Sequence, residues 1–184
     1  MSYVLILGAK SDIARAIAKE YAKNGYNLYL SARKIHELDE FAGDIIIRTQ
    51  KEVKLLELDI LDYEMHQEFY NQLLEKPLGV ITVVGYLGDQ DRAQSDFSEA
   101  KKIIDTNYTG VVSLLNIIAD DFEKRGSGFI VAISSVCQAF DQLVFWIIAI
   151  SERFKFFISE NAKPNFLAVS YKSSNSSLDA RGEF

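Results

Sequence analysis

The sequence opens with Tyr3-Val-Leu-Ile-Leu-Gly8-Ala-Lys-Ser-Asp-Ile-Ala14. An apolar run of strand length ends at Gly8, and apolar residues at helical spacing follow at Ile13, Ile17 and Tyr21. Strand, tight turn and helix in that order are the opening of a dinucleotide-binding unit. The chemistry is anion binding. The first turn of a helix carries N–H groups without internal acceptors and the positive end of the helix dipole, and both suit a pyrophosphate. A full G-x-G-x-x-G run is absent, because Asp12 and Ala14 stand where further glycines are usual. Ala14 is small enough for close helix–strand packing, and Asp12 is a natural helix N-cap. An ordinary βα turn of another α/β protein carries the same signature. Other reactive side chains do not cluster. His36 and His66 are expected on the surface, and neither forms a ligand set with Cys137, so no metal site is predicted. Asp120-Asp121 and Asp89-Gln-Asp91 are expected to face solvent rather than to share acid–base work.

The elements that must position such a turn can be traced along the chain. Strands are predicted over Tyr3–Leu7, Asn27–Ser31, Val53–Leu58, Val80–Val84 and Phe129–Ile133. Between them lie helical patterns over Asp12–Asn24, from Ile35 to Phe41 and onward, over Tyr63–Leu74, and over Phe97 to about Lys124. Gly25 is a natural residue just past the first helix. Strands that alternate with helices and are apolar on both faces imply an α/β fold, a parallel sheet wound with helices on each side.

Length, charge and composition narrow the classes. With 184 residues the chain suits one domain, residues 1–171, followed by a Ser- and Asn-rich stretch, 172–184, expected to be disordered. A net charge of −6 argues against a nucleic-acid partner. The single cysteine, Cys137, excludes an internal disulfide and fits a reducing compartment. No signal-peptide pattern opens the sequence, so a cytoplasmic location is expected. The apolar run Leu143–Ile150 is too short to span a bilayer, and no membrane partner is expected.

Several landmarks taken together resemble the short-chain dehydrogenase/reductase family. The glycine-rich turn falls on Gly8, Asp12 and Ala14. The family's aspartate after the third strand matches Asp59 in Leu58-Asp-Ile. The final glycine of its Asn-Asn-Ala-Gly motif matches Gly85. Its helix asparagine matches Asn107 in Thr106-Asn-Tyr-Thr-Gly110, and its serine after the fifth strand matches Ser135. The turn and Val84-Gly-Tyr-Leu-Gly-Asp-Gln90 are similar to a bacterial subgroup, the decaprenylphosphoryl-2-keto-ribose reductases.

The resemblance implies a Rossmann-type sheet, C-terminally incomplete relative to the family, and a set of roles. Gly8, Lys10, Asp12, Ile13, Arg33, Asp59 and Gly85 would hold the dinucleotide. Asp59 would accept a hydrogen bond from the adenine amino group, and Gly85 would let backbone approach the cofactor. Arg33 follows the second strand, where an acidic residue suits a 2′-hydroxyl and a cation suits a 2′-phosphate; with Lys10 it favours NADP(H) over NAD(H). Asn107 would mark a helix bulge and support a proton relay, and Ser135 would hydrogen-bond the substrate carbonyl and stabilise developing charge. Each residue also has a plain structural role: a strand-end cap for Asp59, a solvated surface arginine for Arg33, a turn glycine for Gly85, a stray polar residue for Asn107, a polar strand end for Ser135. The implied partners are a small carbonyl or alcohol substrate and a second copy of the chain.

Beyond Val136 the pattern stops. The family uses a tyrosine as general acid and a lysine four residues later, whose charge lowers the tyrosine pKa. The usual interval from Ser135 puts the pair at Ile148 and Glu152, and no tyrosine in the sequence has a lysine four residues on. A frameshifted or truncated product, or a diverged inactive relative, would both read this way. A sixth strand over Phe166–Ser170 and an unusually apolar helix over Gln138–Glu160, suited to a subunit interface, are expected after the break. Two readings follow: an oxidoreductase lineage with impaired turnover, or an inactive nucleotide-binding or dimerisation module. A flavodoxin-like domain, the third possibility, leaves Asn107 and Ser135 in register without a reason.

Overall fold

A computed structural model describes residues 2–135 and two further strand segments, 157–158 and 166–172. Five parallel strands lie in the order β3-β2-β1-β4-β5. They are β1 (Tyr3–Leu7), β2 (Asn27–Ala32), β3 (Val53–Glu57), β4 (Gly79–Thr82) and β5 (Phe129–Ser135). This is the doubly wound sheet expected from the alternation of patterns. Two strands extend it past β5: β6 (Phe157–Ile158) at the edge and β7 (Phe166–Lys172) between β6 and β5.

The expected sixth strand is thus present as β7, two residues longer, but it runs antiparallel to β5 with Ser135 opposite Phe166. An apolar strand pattern carries no direction, so its sense was not readable from composition. An antiparallel strand added to an otherwise parallel sheet is a common variation. The helix expected over Gln138–Glu160 and the apolar run Leu143–Ile150 lie outside the described residues, save that Phe157–Ile158 are extended. Residues 173–184, expected as a disordered tail, lie outside them too.

Helices cover both faces. On one face α1 (Asp12–Lys23) and α2 (Asp39–Thr49) pack on Val4, Ile6, Leu28, Leu30 and Ile81. On the other, α3 (Met65–Asn71) and α6 (Gly110–Arg125) pack on Leu5, Leu7, Tyr29 and Val80. The contacting face of α1 differs from the expected one. Ala14, Ala18 and Ala22 are fully buried, whereas Ile13 is 38% exposed. Methyl groups let the helix axis approach the sheet, and Ile17 and Tyr21 pack at the flanks.

The helix expected from Phe97 to about Lys124 is two helices rather than one, and a further short helix precedes it. The short helix, α4 (Gln90–Ser95), precedes α5 (Phe97–Ile104), and a π-turn over Asp105–Thr109 joins α5 to α6. Asp89 caps α4 and Asp96 caps α5, each through a side-chain oxygen. His66 corrects another expectation: it is completely buried, because it shares the inward face of α3 with Phe69 and Tyr70. Its Nδ1 lies 3.0 Å from the Ser113 hydroxyl on α6. Asp121 likewise does more than meet solvent, since it accepts a 2.6 Å hydrogen bond from the Tyr70 hydroxyl. Among the described residues no helix is long and apolar enough to cross a membrane.

Candidate functional site

Because β1 to β5 are parallel, their carboxyl ends share one edge. Register places Leu7 beside both Ser31 and Thr82, and Thr82 beside Ala132. The helix after β1 covers one face and the helices after β4 the other, so the chain changes face between these two neighbouring strands. Such a switch point opens a crevice at the carboxyl ends, where ligands of this architecture bind.

The glycine turn lies at that crevice. Gly8 has φ +78°, and a Cβ on it would come within 2.7 Å of the Val83 carbonyl oxygen. Only glycine lets the turn pass so close to the end of β4. The Gly8 and Ala9 N–H groups donate to the Ser31 carbonyl at 2.9 and 3.0 Å, stitching the turn to β2. The cap of α1 corrects the expectation for Asp12. Ser11 is the N-cap, its hydroxyl oxygen accepting from the Ala14 N–H at 3.1 Å, and Asp12 is the first helical residue with its side chain exposed. Ser, like Asp, accepts well at this position, so sequence alone does not choose between adjacent candidates. The N–H groups of Asp12 and Ile13 face the helix N-terminus with no acceptor among the described residues.

Around the turn the ends of β2 and β3 supply charge. Arg33 directly follows β2, is exposed, and has no ion-pair partner among the described residues. Lys10 forms an ion pair with Glu37, in the 3-10 turn Ile35–Leu38 that follows β2. That contact, with Lys34 and His36 nearby, holds the Glu37 carboxyl below its ordinary pKa. Asp59 is exposed, and its Oδ1 accepts from the Leu61 N–H at 3.0 Å, an Asx turn that shapes the corner after β3.

The β4 side is the most tightly bonded part. Asn107, within the π-turn, holds Tyr86 by its backbone: Oδ1 accepts the Tyr86 N–H at 2.7 Å and Nδ2 donates to the Tyr86 carbonyl at 2.9 Å. The Tyr86 hydroxyl donates to Glu99 Oε1 at 2.8 Å, and the Asp89 N–H donates to the same oxygen at 3.2 Å. Glu99 is only 5% exposed. The Tyr86 hydrogen bond outweighs burial and lowers the Glu99 pKa. The Lys102 ammonium lies over the Tyr86 ring, 4.5 Å from its centre. Gly85, just before the clamped residue, is exposed, and a Cβ there would meet nothing within 4 Å. The fold itself therefore does not require glycine at 85.

Ser135 ends β5. Of the sequence-predicted residues, Gly8, Lys10, Asp12 and Ile13 share the glycine turn and the start of α1. Arg33, Asp59, Gly85 and Ser135 follow or end β2, β3, β4 and β5, while Asn107 reaches the β4 side through Tyr86. Sequence reasoning missed Glu37, Tyr86 and Glu99. Tyr86 lay within the segment Val84–Gln90 that carried the subgroup resemblance, and Glu99 left a trace as an acid just after the Asp96 cap. Ile148 and Glu152, the positions expected for the tyrosine–lysine pair, lie outside the described residues. Among the described residues no cluster of three His, Cys, Asp or Glu side chains could hold a metal ion.

Comparison with known proteins bears on the fold and the family. A solved short-chain dehydrogenase from Sphingobium yanoikuyae in complex with NADPH matches with a TM-score of 0.66 and 27% identity, over 74% of this chain and 54% of that one. An uncharacterized oxidoreductase of Mycobacterium tuberculosis is 32% identical over 136 residues, which is 72% of this chain and 54% of the relative. Human 17-beta-hydroxysteroid dehydrogenase type 3 is 27% identical over 157 residues, 83% of this chain and 50% of the relative. The chain thus spans about half the length of the curated relatives it matches. The family model for short chain dehydrogenases matches residues 2–146. The chain is a member of the short-chain dehydrogenase family.

Proposed function

We propose that the carboxyl-end crevice binds NADP(H), and that the reaction of this lineage is hydride transfer between that dinucleotide and a small carbonyl or alcohol substrate. The observation that carries the reading is the glycine turn. Gly8 holds the backbone against β4 while two amides of α1's first turn are left free for an anion. The residues fit the group. The Asp12 and Ile13 amides would meet the pyrophosphate, Arg33 and Lys10 a 2′-phosphate, Asp59 the adenine, and Gly85 the backbone-facing side of the dinucleotide. Bound there, the nicotinamide would supply or accept the hydride. Two solved relatives, from Sphingobium yanoikuyae and Thermococcus sibiricus, are described with NADPH and with 5-hydroxy-NADP, which supports the phosphorylated form.

The chain's own residues define what it can do next. Ser135, at the end of β5, would orient the substrate carbonyl, and Asn107 would keep the Gly85–Tyr86 rim in place. Proton transfer to the alkoxide is the step that lacks the family's tyrosine–lysine donor, because no tyrosine in the sequence has a lysine four residues on. Loss of a positioned general acid costs about 10²–10⁴-fold in rate. The chain as written is therefore proposed to bind dinucleotide and to turn over poorly. The resemblance of the glycine turn and residues 84–90 to decaprenylphosphoryl-2-keto-ribose reductases names a candidate substrate class. Self-association is proposed from the apolar run Leu143–Ile150 and from the family's habit.

The test is calorimetric titration with NADPH alongside a steady-state assay on a panel of ketones. Micromolar binding with slow or absent turnover is the expected result. Vigorous NADPH-dependent reduction would overturn the impairment, and absence of dinucleotide binding would overturn the reading as a whole. The missing tyrosine–lysine pair also favours a second reading, an inactive nucleotide-binding or dimerisation module. It predicts binding with no turnover for any substrate.

A further inference from the structure

The Lys10–Glu37 pair joins two segments with separate reasons to face a dinucleotide. Lys10 belongs to the turn that Gly8 and Ala9 stitch to the end of β2. Glu37 belongs to the 3-10 turn immediately after β2, which is not a loose appendage. Leu38 is fully buried, Lys34 adopts φ +51°, and the Glu37 N–H donates to the Lys34 carbonyl at 3.2 Å. Between Arg33 and Leu38 the segment carries Arg33, Lys34 and His36 as its basic residues and Glu37 as its only acid. That acid is engaged with the one cation the glycine turn offers.

We infer that Glu37 is a specificity-determining residue that weakens the chain's preference for NADPH over NADH, by holding Lys10 in an ion pair which a 2′-phosphate must break. The inference rests on the dinucleotide reading of the crevice. A phosphate arriving beside Arg33 competes with the Glu37 carboxylate for Lys10 and is repelled by it. A 2′-hydroxyl does neither, so the pair persists when NADH binds. Both partners are partly exposed, with side-chain exposures of 38% and 42%, so the effect is screened and modest. An ion pair of this kind changes an equilibrium by a factor of up to about five.

The test is fluorescence titration of the full chain with NADPH and with NADH, for the wild type, Glu37→Gln, Lys10→Met and the double variant. Glu37→Gln keeps size and polarity and removes the charge. It is expected to tighten NADPH about two- to fivefold and to leave NADH within twofold, with the gain largely lost when Lys10 is also replaced and reduced in high salt. Binding of both dinucleotides with an unchanged affinity ratio in Glu37→Gln would overturn the inference and leave the dinucleotide reading standing. So would an equal gain in the Lys10→Met background. Failure of the wild type and Glu37→Gln to bind either dinucleotide would overturn the dinucleotide reading, and the inference with it.

Discussion

Asn107 binds Tyr86 as one strand binds another, with both side-chain amide groups on the backbone N–H and C=O of a residue 21 positions away. The π-turn makes this possible. It widens the helix at Asp105–Thr109 and sets Asn107 against the segment after β4. The consequence is that the segment proposed as the cofactor rim is held from a helix rather than by its own turn. Asn107→Ala leaves one donor and one acceptor without partners and is expected to cost about 1–2 kcal/mol of stability. NADPH affinity is expected to fall about tenfold, since Gly85 and Tyr86 lose their anchor. Denaturant unfolding and a binding titration on the same variant check both figures. Unchanged affinity in a destabilised variant would reduce Asn107 to a purely structural residue.

Glu99 extends the same anchorage and makes it sensitive to acid. Its carboxylate accepts from the Tyr86 hydroxyl and the Asp89 N–H, and its pKa lies below the ordinary value. A carboxyl with a depressed folded-state pKa contributes stability that is complete above its unfolded value, near 4.5. That contribution is lost as pH falls through the lower, folded value. Glu99→Gln is therefore expected to flatten the loss of stability below about pH 4.5, and Tyr86→Phe to do so in part. Thermal midpoints measured from pH 7 to pH 3.5 test this, and parallel curves for wild type and Glu99→Gln would refute it.

How much of this was legible in the sequence depended on range. Gly8 and the strand–turn–helix succession are local signals, so the β1 turn and the alternation of strands with helices were readable within a few residues. The landmarks Asp59, Gly85, Asn107 and Ser135 were readable only through resemblance. Spacing alone does not say that a mid-helix asparagine reaches back to Tyr86. Pairings such as Lys10 with Glu37, or Tyr86 with Glu99, form across turns whose geometry emerges only after the elements pack. The inward position of His66 was available in principle, since Phe69 and Tyr70 stand three and four residues beyond it on the same helical face. The direction of β7 was not, because its apolar pattern reads alike from either end.

Burial lowers the His66 pKa from its ordinary value, with the nearby Ile60 carbonyl and Asp62 opposing the shift only in part. The unfolded chain then binds more protons than the folded one between the folded value and about 6.5. The stability this neutral histidine supports is complete above that window and declines as pH falls through it. The protein is expected to be less stable at pH 5 than at pH 7.5, and His66→Phe to narrow that difference. Denaturant midpoints at the two pH values provide the check. An equal pH effect in the variant would assign the decline to other groups.

Gly8→Ala tests the turn directly. The left-handed backbone costs a residue with a Cβ about 1–2 kcal/mol. The contact at 2.7 Å from the Val83 carbonyl oxygen adds to this, because that neighbour is backbone just past β4, tied to β1 by the Val83 N–H on the Leu7 carbonyl, and cannot swing aside. A total loss of about 2–4 kcal/mol is expected, together with loss of NADPH binding. Urea unfolding and a titration in the presence of a stabilising osmolyte separate the two effects. Retained NADPH affinity in a folded Gly8→Ala variant would remove the turn from the binding site.

Asp12 is the residue at which stability and binding oppose one another. Its carboxylate occupies the first helical position of α1, where the helix dipole favours negative charge by about 0.3–1 kcal/mol. The same dipole and the same free amides are what a pyrophosphate would use, and a carboxylate beside them repels it. Asp12→Asn keeps the size of the side chain and removes the charge. The variant is expected to unfold at slightly lower denaturant, by about 0.5 kcal/mol, while binding NADPH and NADH severalfold more tightly and by similar factors. The equal gain matters, because both dinucleotides carry the pyrophosphate whereas only one carries the 2′-phosphate. A gain confined to NADPH would move the phosphate contact away from the start of α1. A loss of affinity for both would mean that the Asp12 carboxylate itself binds the dinucleotide, as an acceptor for a ribose or amide hydrogen.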